Sequence, residues 1–206
     1  MITLYTLKPR FQGLLRPLVG RLARAGVTAN QVTIAAAAGS VLVGLAIACA
    51  VPHRAVFLLL PVWLALRMAL NAVDGMLARE FGQQSKLGAY LNELGDVVSD
   101  ATLYAPFALL TPFGAAATGL VVFLAVLTEF AGVMGPTVGG SRRYDGPMGK
   151  SDRALVLGAL GAWVGIGGAL PDWLAFLMPV IALLLLVTVA NRIRASLNEA
   201  AVSSAR

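Results

Sequence analysis

The sequence predicts an all-α integral membrane protein: six transmembrane helices preceded by an amphipathic N-terminal juxtamembrane segment. Three observations predict it. Of the 206 residues, 58% are hydrophobic and only 13% charged, where a soluble domain is about a quarter charged. Six apolar runs of about 20 residues can be drawn, each long enough to cross a hydrocarbon core as a helix. Lys and Arg gather between or beside those runs, as membrane topology requires. The mean hydropathy of +0.80 agrees.

The elements follow in order within a single domain, 1–206. Residues 1–28 form the amphipathic cytoplasmic segment, where Lys8, Arg10, Arg16, Arg21 and Arg24 stand among Leu, Phe and Val. That composition suits a helix lying on anionic lipid, although Gly13 and Pro17 weaken it as one continuous helix. A cleavable signal peptide is not expected, because the first apolar run follows roughly 26 basic, Pro- and Gly-punctuated residues. The six-helix bundle covers 29–194, with spans expected at 30–51, 55–79, 87–111, 114–135, 153–170 and 172–192. "VPHR", "LLTPFG" and "GALPDW" mark short turns by their Pro and Gly. The one long connection, "GPTVGGSRRYDGPMGKSD", is Gly-rich and basic, and 195–206 reads as a frayed tail.

Orientation follows from the basic residues. With the N-terminus inside, every Lys and Arg through to Arg206 falls on the inner side except Arg54, which is outside, and Arg67, which lies within a span. The expectation is a multi-pass protein of the cell membrane with both termini cytoplasmic. The net charge of +6 does not point to nucleic acid, since the aromatic-basic interleaving of single-strand binders is missing. A transporter would be expected to show paired broken helices from an internal repeat, and none stands out. Cys49 reads as a small core- or lipid-facing residue, and His53 carries no role.

The unusual stretch is "NAVDGMLAREFGQQSKLGAYLNELGDVVS", Asn71 to Ser99. Asn71 and Asp74, three apart, share a face of the second span. Asn92, Asp96 and Asp100 form a stripe on the third, with Glu93 beside it. The short loop between the spans makes them antiparallel neighbours whose polar faces can meet. Acids at membrane depth are costly and by default mark function. Four carboxylates gathered there would repel one another without a cation between them. Oxygen-only donors favour Mg²⁺, Mn²⁺ or Ca²⁺, and such an ion beside the inner surface points to a phosphate-bearing substrate. Gly75, Ala78 and Gly88 are small enough to let a ligand approach the backbone, and equally suit close helix packing. Arg79, at the water boundary, could pair with phosphate or snorkel.

This stretch resembles the CDP-alcohol phosphotransferase (CDP-alcohol phosphatidyltransferase) family. The family signature is D-x-x-D-G-x-x-A-R, eight residues, then G-x-x-x-D-x-x-x-D. Here it runs N-x-x-D-G-x-x-A-R, "EFGQQSKL", then G-x-x-x-N-x-x-x-D. "GVTANQVT" before the first span and "DVVSD" after the signature are also similar to family members. The resemblance implies transfer of a phosphatidyl group from a CDP-lipid such as CDP-diacylglycerol to an alcohol, with release of CMP. It further implies a divalent cation, Mg²⁺ or Mn²⁺, and a homodimer. Carried over by position, Asp74 becomes a metal ligand and Asp96 the catalytic base at the metal. Asp74, Gly75, Ala78, Arg79 and Gly88 line the nucleotide site.

The departure is that two signature acids are amides. Asn71 and Asn92 can ligate a hard cation through oxygen but bring no charge. Either the site uses one cation, or Glu93 and Asp100 supply the missing charge, or the protein is a degenerate relative that binds nucleotide or lipid without turnover. Asp100 is expected to pair with Arg67, leaving Glu93 as an auxiliary ligand. Glu129, in the fourth span, is an alternative partner for Arg67, and Asp172 is expected to cap a helix. In the basic loop, Lys150 and Arg153 are expected to bind the acceptor, read as a phosphorylated polyol.

Overall fold

The computed structural model describes residues 4–204, with side chains from Phe11 onward. The side chains of Lys8 and Arg10, and Arg206 entirely, lie outside the described residues. The described residues form seven α-helices and no strand: α1 (Leu4–Arg24), α2 (Ala29–Cys49), α3 (Leu59–Glu80), α4 (Lys86–Tyr104), α5 (Ala115–Val133), α6 (Lys150–Gly165) and α7 (Leu177–Ser204). Short 3-10 turns at Arg54–Leu58 and Asp172–Phe176 lead into α3 and α7.

Four segments have the length and apolarity to cross a membrane: α2, α3 with its leading turn, α5, and α7 with its leading turn, at mean hydropathies of 2.2, 1.9, 2.0 and 2.6. Leu42, Leu45, Val62, Leu120, Phe123 and Leu183 stand exposed on them, as expected of surfaces facing lipid rather than water. The chain is a multi-pass membrane protein. The other two expected spans differ. α6 has 16 residues, and α4 carries Glu93, Asp96 and Asp100. α4 packs on α2 and α5, and α6 on α3.

α1 runs unbroken through Gly13 and Pro17, because one face is anchored. Val19 is fully buried with Leu15 and Leu22 against Val73, Met76 and Leu77 of α3. Arg16 adds a fork to Glu80 at 3.2 and 3.0 Å. α2 opens with a reciprocal cap, in which Thr28 Oγ1 accepts from Gln31 N–H and Gln31 Oε1 accepts from Thr28 N–H. Gln83, from the loop joining α3 and α4, accepts a further α2 donor, Ala29 N–H, at 2.7 Å.

α3 and α4 are not the face-to-face neighbours the short loop suggested. α2 packs against both of them more closely than they pack on each other. The reason lies in small residues: a Cβ on Gly44 of α2 would stand 2.3 Å from the Thr102 carbonyl oxygen of α4, so only glycine permits this crossing. The polar faces of α3 and α4 therefore meet through long side chains. Along α3, Leu60 and Leu64 join the main core with Leu103, Leu157 and Leu185, while Val73, Met76 and Leu77 join the small core under α1. Arg67 and Asp74 occupy the stretch near the junction of the two.

α7 has 28 residues, about 42 Å of helix, which exceeds a hydrocarbon core of roughly 30 Å. Residues 195–204, expected as a frayed tail, continue this helix. They hold the basic loop, with Glu199 Oε2 accepting from Ser141 N–H at 2.9 Å and from Arg143 Nη1 at 3.0 Å.

Candidate active site

α3 brings Asn71, Asp74, Gly75, Ala78 and Arg79 to one end of the bundle, and α4, starting at the Ser85 cap, brings Gly88, Asn92, Glu93 and Asp96 to the same end. Asp74 is buried and accepts from Thr33 Oγ1 of α2 at 2.8 Å. Asn71 and Asn92 are half-buried. Gly75 lies beneath the Arg79 guanidinium, where a Cβ would come within 2.8 Å of a guanidinium nitrogen. At Gly88 a Cβ would meet Asn30 Oδ1 at 2.7 Å, so Gly88 admits a polar side chain from α2.

The remaining acids receive counter-charges from the fold itself. Arg67, 3% exposed, donates through Nη1 to Asp100 Oδ1 at 2.5 Å and through Nη2 to Asp96 Oδ1 at 3.0 Å. Lys150 Nζ bonds the same Asp96 oxygen. Arg153 Nε and Nη2 grip Asp100 Oδ2 at 3.0 and 2.8 Å, and Nη2 reaches Glu129 Oε1 at 2.8 Å. Arg192 donates to the Thr128 carbonyl and lies 3.4 Å from Glu129 Oε2. Arg142 pairs with Glu93 and approaches Glu129 at 3.5 Å. Five cations thus meet four carboxylates in one connected network, and Asp74 stands beside it as the fifth acid.

Several expectations change accordingly. Arg67 pairs with Asp100, as expected, and Glu129 goes to Arg153, Arg192 and Arg142. Glu93, expected as an auxiliary metal ligand, has its carboxylate on Arg142. Arg153, expected at the acceptor pocket, is 1% exposed and turned inward to Asp100, Glu129, Thr128 Oγ1 and the Met148 carbonyl. Buried acids claim it, since a guanidinium cannot be desolvated without partners. Lys150 stays half-exposed beside Asp96. Asp172 begins a short turn without a side-chain capping bond, because Pro171 precedes it at the cap and Asp172 is one residue too far along.

Sequence reading missed Thr33, Asn30 and Arg192 as parts of the site. Thr33 lies one turn into α2 on the face of Ala29, and nothing local distinguishes it from other polar residues of "TANQVT". Arg192 read as a topology anchor, yet it is 1% exposed. Outside the bundle, the Arg143 fork on Asp145, at 2.8 and 3.0 Å, holds that carboxyl below the ordinary carboxylate range.

Residues 26–187 match the family described as CDP-alcohol phosphatidyltransferase. The chain is 50% identical over 196 residues to the inner membrane protein YnbA of Escherichia coli strain K12, covering 95% of this chain and 97% of that one. It is 31% identical over 191 residues to a phosphatidylinositol phosphate synthase of Mycobacteroides abscessus, covering 90% and 84%. In fold it is similar to crystal structures of the Mycobacterium tuberculosis phosphatidylinositol phosphate synthase PgsA1. One was solved with CDP-DAG bound and one with manganese and citrate, each at TM-score 0.72 and 21% identity over 87% of this chain and, respectively, 92% and 87% of those. With the signature residues gathered at one end of a helical membrane bundle, the match places this chain, as a transferase of phospholipid synthesis, in the CDP-alcohol phosphatidyltransferase family.

Proposed function

We propose that this protein transfers a phosphatidyl group from a CDP-lipid such as CDP-diacylglycerol to a hydroxyl of a phosphorylated polyol. The hydroxyl oxygen forms a new bond to the lipid-side phosphorus, the bond from that phosphorus to CMP breaks, and CMP leaves. The observation that carries the reading is Asp96: one carboxylate oxygen is held by Arg67 and Lys150, which leaves Oδ2 to accept the hydroxyl proton. Asn71, Asp74, Asn92 and Asp96 offer only hard oxygen donors, which fits Mg²⁺ or Mn²⁺. A cation bound by them would neutralise the diphosphate and ease departure of CMP.

Gly75, Ala78 and Gly88 are read as the nucleotide side of the site, where the small residues admit the Arg79 guanidinium over Gly75 and the Asn30 side chain against Gly88 as polar groups for the ligand. The acceptor's phosphate is read from Arg142 and Arg143, in the basic loop before α6, and from the phosphatidylinositol phosphate synthase among the relatives; Lys150, expected there from the sequence, stands on Asp96 instead. Arg142 has a buried Nε without a hydrogen-bond partner, a donor that an acceptor's phosphate could satisfy. The bundle is read with α4 and α6 also crossing, both termini cytoplasmic, and the chain as a homodimer.

One observation favours a second reading, a relative that binds nucleotide or lipid without turnover. Among the described residues no group of three or more acidic, His or Cys side chains is arranged to hold a metal ion. The test is CMP release from CDP-diacylglycerol with Mg²⁺ or Mn²⁺ and a panel of free and phosphorylated polyols, with Asp96→Asn as control. Release that requires a phosphorylated acceptor and drops at least about a hundredfold in Asp96→Asn supports the transferase. No release with any acceptor favours the second reading.

A further inference from the structure

The two amides in the signature leave Asp74 and Asp96 as its acids, and the fold decides what can replace the lost charge. Glu93 and Asp100 cannot. Both Asp100 oxygens are taken, one by Arg67 and one by Arg153, in a site where Asp100 is 4% exposed. Both Glu93 oxygens are on Arg142. Turning either towards a metal would take a carboxylate partner from a guanidinium that the fold has placed on it.

Asp96 carries a second feature. Its Oδ1 already receives Lys150 Nζ. Lys150 is the first residue of α6, and the cap residue before it, Gly149, donates its N–H to the Asp152 carboxylate at 2.9 Å. Its ammonium is a compact charge with three donors on a flexible stem, and its side chain is 30% exposed, so it faces the site and not the core. Two carboxylates balance one divalent ion. A second ion would sit against Lys150 and Arg67 with no further acid to hold it.

Resting on the transferase reading above, we propose that the site binds a single divalent cation, between Asp74 and Asp96 with the Asn71 and Asn92 oxygens, and that Lys150 stands in for a second. Its Nζ–H groups turn from Asp96 to a non-bridging oxygen of the donor diphosphate, a charge-assisted hydrogen bond that neutralises the group as it leaves. Asn71, Asn92 and Lys150 form one set: the two lost acids remove the charge that would hold a second ion, and one lysine supplies positive charge in that ion's place.

The experiment counts Mn²⁺ bound by the purified full-length protein in nanodiscs with CDP present, by electron paramagnetic resonance of the free ion. The wild-type protein is expected to bind one Mn²⁺ per chain, and Asn71→Asp/Asn92→Asp two. Lys150→Gln is expected to bind its Mn²⁺ at least about tenfold more tightly, because a neighbouring positive charge is gone. The same variant should lower kcat for CMP release about tenfold or more while leaving the acceptor KM unchanged. Two ions per wild-type chain, or none, overturns the proposal, and so does an unchanged Mn²⁺ affinity in Lys150→Gln. A raised acceptor KM with kcat intact also overturns it, by assigning Lys150 to the acceptor. Absence of CMP release from the wild-type protein would sink the transferase reading and leave the ion count to stand on its own.

Discussion

Arg67 of α3 and Asp100 of α4 are joined at 2.5 Å in the interior, 3% and 4% exposed. The pair bridges two helices that lean on α2 more than on each other. Asp100 also takes Arg153 through its other oxygen, so a single carboxylate ties α3, α4 and α6 together.

Asp100→Ala should therefore destabilise the protein by about 3–5 kcal/mol, because two buried guanidinium groups lose a partner at once. Thermal unfolding in detergent should show a large drop in midpoint. A midpoint close to the wild-type value would mean that Arg67 and Arg153 find other partners and the bridge is not structural.

Thr33 is expected to matter for activity more than for folding. Its hydroxyl is the hydrogen-bond donor on Asp74, and a bond to a charged group contributes about 1.5–3 kcal/mol. Thr33→Val should lower CMP release about tenfold or more, while Thr33→Ser, which keeps the donor, retains most of it. Equal activities in the two variants would show that Asp74 is positioned without this bond.

At the α2–α4 crossing, Gly44→Ala should destabilise by about 1–3 kcal/mol through overpacking, since the added carbon meets the backbone oxygen of Thr102. Gly119→Ala, where a Cβ meets nothing within 4 Å, is the matched control and should unfold at or above the wild-type temperature. The prediction fails when the two variants melt together.

Glu199→Ala should loosen the loop before α6. The carboxylate holds Ser141 and Arg143, so hydrogen exchange should speed up at residues 139–143 and stay slow in α5 and α6. Unchanged exchange at Ser141 N–H would mean the loop is held by the Arg143 N–H bond to the Gly132 carbonyl alone.

The membrane character of the chain, the α2 cap and the positions of the signature residues are all legible in the order of the amino acids. Each is a local or periodic property: run length, a Thr and Gln three residues apart, and fixed spacing on a helix. The unbroken α1 is not legible in that way, because the penalty at Gly13 and Pro17 is visible in the sequence and the compensating burial of Val19 against α3 is not. The end of α7 misleads for the same reason, since "NEAAVSSAR" looks like a polar tail until Glu199 is seen to grip Ser141.

What the sequence determined by itself was a helical membrane protein with a family signature in which two acids have become amides. What only the tertiary structure decided was which charges meet. Arg153 and Arg192 could equally have faced water or an acceptor; packing turned them inward to Asp100 and Glu129, and it left Lys150 on Asp96. Spacing along one helix places a side chain on a face. Its partner, however, comes from a helix 50 or so residues away in the chain, and the low dielectric of the interior makes that pairing obligatory.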